Sequence, residues 1–190
     1  MRISPVLLAA LTGPFLMEAS AAQGFHALVL QQLMSQADGS GLSMSEEERA
    51  ARPAFEAYTP HAAALGVLGY KSLDEVPAGS VAVHTIAGTM LPEDSWFGYG
   101  TRSIGQSITT ADAHPNIVAH VGVFRTPGGS TMGLESFAAT IAGTTKPFVS
   151  YAELMCSAGY WSGSSGNHIF VGGRTAMLGS IGTKAEFLDW

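Results

Sequence analysis

From Ser80 onward, short apolar runs alternate with stretches of helical spacing. Residues 81–86 (Val-Ala-Val-His-Thr-Ile) read as a strand that ends by Gly88. Between 103 and 112, Ile104, Ile108 and Ala111 recur at the spacing of one helix face. Residues 117–124 are almost continuously apolar, as strands buried on both faces of a parallel sheet are. Pro127-Gly128-Gly129-Ser130 then opens a helix carried by Leu134, Phe137, Ala138 and Ile141. A third strand is predicted at 147–151, a helix begins at 157–162, and a fourth strand covers 168–171. Strand, helix and strand in repeated succession imply parallel βαβ units with right-handed crossovers.

The amino-terminal part reads differently. Residues 5–17 are mostly apolar but interrupted at Gly13-Pro14. With Arg2 ahead and Ala19-Ser20-Ala21 behind, the segment has the outline of a secretory signal. Gly13-Pro14 and Glu18 both spoil that outline, so a broken helix followed by a second one over 25–33 is the preferred reading. Residues 37–80 form a connecting region, in which Ser45 would cap a helix beginning Glu46-Glu47-Glu48-Arg49. The expected division is a helical amino-terminal extension and linker over 1–79 and an α/β domain over 80–190. No apolar run reaches the about 18 residues needed to cross a bilayer, so no transmembrane anchor is expected.

Composition narrows the function classes. The 190 residues are 46% hydrophobic and only 13% charged, which excludes global disorder. The net charge is −6 and no basic stripe occurs, so a nucleic-acid partner is not expected. One cysteine, Cys156, rules out an internal disulfide, and the six histidines at 26, 61, 84, 114, 120 and 168 show no paired metal-ligand spacing. Neither a metal nor a cofactor is expected.

Two loops carry candidate chemistry. In Arg125-Thr126-Pro127-Gly128-Gly129-Ser130, consecutive glycines after a strand leave backbone N–H groups free to meet an anion or oxyanion. Alone, Pro-Gly-Gly is more often an ordinary turn. In Met155-Cys156-Ser157-Ala158-Gly159-Tyr160-Trp161, small residues surround one serine where a strand gives way to a helix. Alone, such a serine is more often a helix cap than a nucleophile. Together they say more. Gly129 and Ser157 are separated by room for one helix and one strand, which in a parallel unit sets both loops on the same sheet edge.

Thr126-Pro127-Gly128-Gly129-Ser130, Cys156-Ser157-Ala158-Gly159-Tyr160-Trp161 and Leu178-Gly179-Ser180-Ile181-Gly182 resemble, in order, three motifs of the protease IV (signal peptide peptidase A) family of serine peptidases. The resemblance covers about 80–184. It implies a ClpP/crotonase-like spiral of parallel βαβ units, here with a helical N-terminal extension, and a peptide or protein substrate. Gly13-Pro14-Phe15 and Tyr99-Gly100 resemble phage and prophage members, which process capsid or scaffold precursors during head maturation. Carried over residue by residue, Ser157 is the nucleophile, and Gly129 and Ala158 supply the oxyanion-hole N–H groups. Gly128 and Ser130 border the substrate. Tyr160 and Trp161 pack behind the nucleophile, and Gly179 to Gly182 wall the site. Thr126 and Ala158 depart from the usual Ser and Gly, and both keep the backbone groups.

The family base is a lysine some tens of residues past Gly-Ser-Ile-Gly. Lys184 comes too early to match it, and Lys146 precedes a strand far from the nucleophile loop. The base is therefore expected outside this chain: the domain is truncated, another chain supplies the lysine, or the protein is inactive. The resemblance further implies a homo-oligomer and a cytoplasmic location, or a periplasmic one if residues 1–21 are a cleaved signal. Four alternatives stay open: a pseudopeptidase serving assembly, a periplasmic signal peptide peptidase, a crotonase-like acyl-CoA enzyme using Glu153, and a thiol nucleophile at Cys156 with His168 as base.

Overall fold

The computed structural model describes residues 15–17, 72–95 and 98–182. In chain order the elements are β1 (Phe15–Met17), β2 (Ser80–Ala87), α1 (Thr101–Ala113), β3 (Ile117–Thr126), β4 (Gly128–Ser130), α2 (Leu134–Ala142), β5 (Phe148–Cys156), α3 (Ala158–Ser164), β6 (His168–Val171) and β7 (Met177–Gly179). The main sheet runs β2-β3-β5-β6, and β7 joins β5 beyond the end of β6. Every pairing in it is parallel. The parallel α/β alternation expected of a ClpP/crotonase-like fold is thus present.

Period-2 burial shows where the helices lie. In β2, Ala82, His84 and Ile86 are buried while Val81 and Val83 are exposed. Of these, Ile86 meets Ile104 and Ile108 of α1, Leu134, Phe137 and Ile141 of α2, and Ala158 of α3 in a core with Phe124, Phe148, Ala152 and Met155, and Ala82 meets Ala111 of α1. All three helices therefore cover one face. Residues ahead of β2 join the same body: Leu73 and Val76 pack on Ala82, Ala111 and Ile117. The Asn116 side-chain amide donates to the carbonyl of Val76 at 2.8 Å. Among the described residues, no helix is long and apolar enough to cross a membrane.

Two expectations are corrected. Within the apolar start, expected to be a broken helix, Phe15–Met17 is instead a strand, paired antiparallel with β4. Residues 127–130 were expected to open a helix, yet Gly128–Ser130 is a strand and α2 begins only at Leu134. The reason is local: Gly128 and Gly133 have φ of +104° and +73°, outside the helical basin. The helices expected over 25–33 and after Ser45 lie outside the described residues.

At the amino end of the sheet, three titratable side chains form a chain, of which His84 and His120 are buried and Asp112 partly so. His84 Nε2 lies 3.1 Å from His120 Nδ1, and His120 Nε2 lies 3.2 Å from Asp112 Oδ1. Phe148 stacks on both rings. Asp112 also accepts the Thr145 N–H and hydroxyl, each at 2.9 Å, and the Lys146 N–H at 3.1 Å. It thereby ties the end of α1 to the approach of β5. Burial alone would raise the Asp112 pKa, but these bonds from Thr145, Lys146 and His120 outweigh it and lower it from 3.8 to about 2. Burial lowers that of His120 below 6.5, against the opposing pull of Asp112.

Both shifts make the unfolded chain the better proton binder in acid. His120 contributes stability that is complete above its ordinary value of 6.5 and lost as pH falls through its lowered one. Asp112 contributes stability present above 3.8 and lost as pH falls towards about 2. Urea melts should therefore show a midpoint that drops below about pH 6.5 and drops again below about pH 4. Asp112→Ala should lower stability at neutral pH by about 1–3 kcal/mol, because it strands several donors. A midpoint unchanged between neutrality and about pH 5 would contradict a buried, neutral His120.

Candidate active site

Register brings three loops level at the carboxyl edge of the sheet. Ala87 lies opposite Arg125, and Arg125 and Thr126 lie opposite Leu154 and Met155. The Thr126 hydroxyl donates to the Gly88 carbonyl at 2.6 Å and accepts the Gly128 N–H at 3.1 Å. It thus fastens the loop after β2 to the turn into β4. Beyond it, Met90 runs alongside β4: its N–H donates to Gly128 O at 2.9 Å, and its carbonyl accepts the Ser130 N–H at 2.8 Å. This is a parallel bridge centred on Gly129.

The bridge has two consequences. A Cβ built on Gly129 would lie 2.6 Å from the Met90 nitrogen, so only glycine fits. Backbone groups alternate sides along a strand. Since Gly128 and Ser130 face Met90, the N–H and carbonyl of Gly129 face the opposite edge, where β1 lies with Leu16 opposite Gly129.

Ser157 joins β5 to α3 with φ 53° and ψ −113°, a conformation L-residues rarely adopt and one that costs about 1–3 kcal/mol. Its N–H donates to Gly179 O at 2.7 Å, and its carbonyl accepts the Trp161 N–H at 2.9 Å. The side chain makes no capping bond. The ordinary explanation of a serine at this position therefore fails. The hydroxyl is buried and has no hydrogen-bond partner among the described residues. Ala158 is fully buried, and as the first residue of α3 its N–H has no acceptor inside the helix. A Cβ on Gly159 would strike the Thr126 methyl and touch Met90 Sδ. The first turn of α3 thus rests on the same Met90 that flanks Gly129, which draws Ser157, Ala158 and Gly129 to one place.

Other sequence candidates fall around this centre. Gly128 and Ser130 lie in β4, but the Gly128 carbonyl and the Ser130 N–H are taken by Met90, and the Ser130 hydroxyl accepts the Met132 N–H at 3.1 Å. Gly179 meets Ser157 directly. Tyr160 packs on the core, whereas Trp161 is half exposed and does not pack behind the nucleophile. His168 pairs with Val149, about 23 Å along β5 from Cys156, too far to serve as its base. Cys156 is buried, with Sγ 3.7 Å from Met177 O. Glu153 is held by Arg125 in a two-pronged ion pair at 2.6 and 2.9 Å on the helix-free face. Hydrogen bonding to Arg125 lowers the Glu153 pKa and raises that of Arg125. Lys146 binds the carbonyls of Ala111 and His114 at the far end of the sheet. Lys184 lies outside the described residues.

Sequence reasoning missed Met90 and β1. A lone methionine in a loop carries no signal of backbone pairing, and three residues are too few for a strand period to show. A surface cleft lined by Glu93, Arg102, Gln106, Ser136 and Thr140 includes neither Ser157 nor Gly129.

No family model matches the chain, and no curated protein does. Among solved structures it is similar to the 1510-N membrane protease specific for a stomatin homolog from Pyrococcus horikoshii. The identity is 22% over 49% of this chain and 45% of that one, with a TM-score of 0.41. It is also similar to an enoyl-CoA hydratase/isomerase family member, at 18% identity over 50% of this chain and 45% of the other, with a TM-score of 0.38. The chain thus spans less than half the length of either structure. Neither likeness brings an activity to this chain.

The contact at Gly129 makes a sharp prediction. Gly129→Ala should destabilise the chain by about 1–3 kcal/mol, since the methyl has only backbone to push against. Gly182→Ala, with nothing within 4 Å, should stay within about 0.5 kcal/mol of the parent. Equal thermal midpoints for the two variants would contradict the Met90–Gly129 packing.

Proposed function

We propose that the chain is a serine peptidase domain of the protease IV type, acting on extended peptide segments of proteins. The observation that supports this best is Ser157: a strained strand-to-helix turn presents an uncapped, buried hydroxyl beside an N–H-bearing glycine strand. Strain persists where the surroundings impose it, and the Gly179 bond together with β5 does so here. In the proposed reaction, Ser157 Oγ attacks the scissile carbonyl, and the N–H groups of Gly129 and Ala158 receive the oxyanion. A lysine outside the described residues takes the serine proton and returns it to the leaving amine. Water then hydrolyses the acyl-serine and restores the hydroxyl.

The phage-like features of the sequence make a capsid or scaffold precursor the proposed substrate. Assembly into a homo-oligomer belongs to the same proposal. Val81, Val83 and Phe170 stand exposed on the sheet face that no described helix covers. The acyl-CoA alternative is less well supported, because Glu153 is committed to Arg125 on the helix-free face.

Among the described residues the one lysine, Lys146, is held far from Ser157, and without a lysine beside Ser157 peptide turnover should be very slow, since an unassisted serine hydroxyl is a poor nucleophile at neutral pH. Labelling does not need turnover. Incubation with a fluorophosphonate for hours at about pH 9.5, where hydroxide substitutes for the base, should place one adduct on Ser157. Ser157→Ala should abolish the adduct, and Cys156→Ser should retain it, because Cys156 has a packing role. Absence of the adduct from both the parent and Leu16→Pro, each folded, would contradict the peptidase reading.

A further inference from the structure

We infer that Phe15–Met17 is a built-in occupant of the peptide-binding edge: the chain docks its own amino-terminal segment on β4, and this strand must leave before a substrate strand enters. The inference rests on the peptidase reading of Ser157 and concerns the regulation of that site.

β4 is three residues long, and one of its edges is taken by Met90. The other edge carries the N–H and carbonyl of Gly129. β1 lies there antiparallel, with Phe15 opposite Ser130, Leu16 opposite Gly129 and Met17 opposite Gly128. A strand edge offers one set of donors and acceptors, so it pairs with one partner at a time. The Gly129 N–H assigned to the oxyanion is the group directed at Leu16, and it cannot serve both. The closed state of the nucleophile agrees with this: Ser157 is only 3% exposed, and its hydroxyl has no partner.

The sequence limits how firmly β1 holds. Pro14 directly precedes it and has no N–H, so the ladder cannot gain a donor there. Three residues on three residues make a short pairing that an incoming peptide can displace. The competitor is therefore an extended peptide able to form the same backbone pairs, presented at a concentration sufficient to displace a tethered strand.

Alternation supplies the test. Leu16 faces Gly129 through its N–H and carbonyl, whereas the backbone groups of Phe15 and Met17 face away. Leu16→Pro removes the inward N–H. Met17→Pro removes only an outward one and favours an extended Leu16. The probe is a fluorescein-labelled peptide of residues 12–19 (Thr-Gly-Pro-Phe-Leu-Met-Glu-Ala), read by anisotropy on the full chain. Leu16→Pro should bind it at least about tenfold more tightly than the parent, because the open edge is no longer a minor state. Met17→Pro should bind like the parent. Equal affinities for all three chains, or no binding by any, overturns the inference.

Should Leu16→Pro fail to fold, amide exchange on the parent chain decides. The Leu16 N–H should be protected relative to those of Phe15 and Met17, and excess peptide should erase the difference; unprotected Leu16 overturns the inference. Tight peptide binding by Leu16→Pro with no fluorophosphonate adduct on Ser157 keeps the docking and removes the peptidase reading. An adduct with equal peptide affinities does the reverse.

Discussion

Met90 lies backbone to backbone against Gly129, and the geometry of the site follows from that contact. Because Met90 takes the carbonyl of Gly128 and the N–H of Ser130, the polar groups of Gly129 turn to the other edge. Because the approach leaves no room for a Cβ, the position admits glycine alone. Thr126 reinforces the arrangement by bonding Gly88 and Gly128 with one hydroxyl. The glycine pair is thus a short, fixed strand, and its conformational freedom is spent on a close approach rather than on flexibility.

Ser157 complements it from the neighbouring loop. The level ends of β3 and β5 carry the serine to the same sheet edge, and the contact of Gly159 with Thr126 and Met90 sets how near α3 can come. Its strained φ is imposed by a strand on one side, a helix on the other and the bond to Gly179 between them. At the opposite end, the His84–His120–Asp112 chain anchors the sheet through ordinary buried polar pairing. The edge that carries the proposed chemistry and the edge that carries polar anchoring are thus separate. Acidification should loosen the second without touching Ser157.

Much of the fold was legible because its signals are periodic. The apolar runs at 81–86 and 117–124 and the Ile104–Ile108–Ala111 spacing each extend over enough residues to reveal a period, and each lies within the observed element. The serine loop was legible as a junction, since small residues around Ser157 mark the place where β5 gives way to α3; that the serine makes no capping bond shows only in the structure. Illegible were the features made by backbone pairing between distant segments. Nothing in Met90 as a side chain announces its bridge to Gly129, and nothing in Phe15-Leu16-Met17 distinguishes a strand from the apolar helix expected there. Glycine was read as a turn signal at 128 and 129, whereas its second use, close approach, depends on a partner that local sequence does not identify.

The proposed chemistry requires Ser157, Gly129 and Ala158 to form a single reaction site. A crystal structure of the chain with a peptidyl boronic acid tests it most directly, since boron adopts the tetrahedral geometry of the proposed intermediate. The expected structure has a bond from Ser157 Oγ to boron, a boronate oxygen within about 3 Å of the N–H groups of both Gly129 and Ala158, and the peptide lying antiparallel on β4 in place of Phe15–Met17. A boronate bound away from Ser157, or bonded to it with its oxygens turned from Gly129, would contradict a single site made by these three residues.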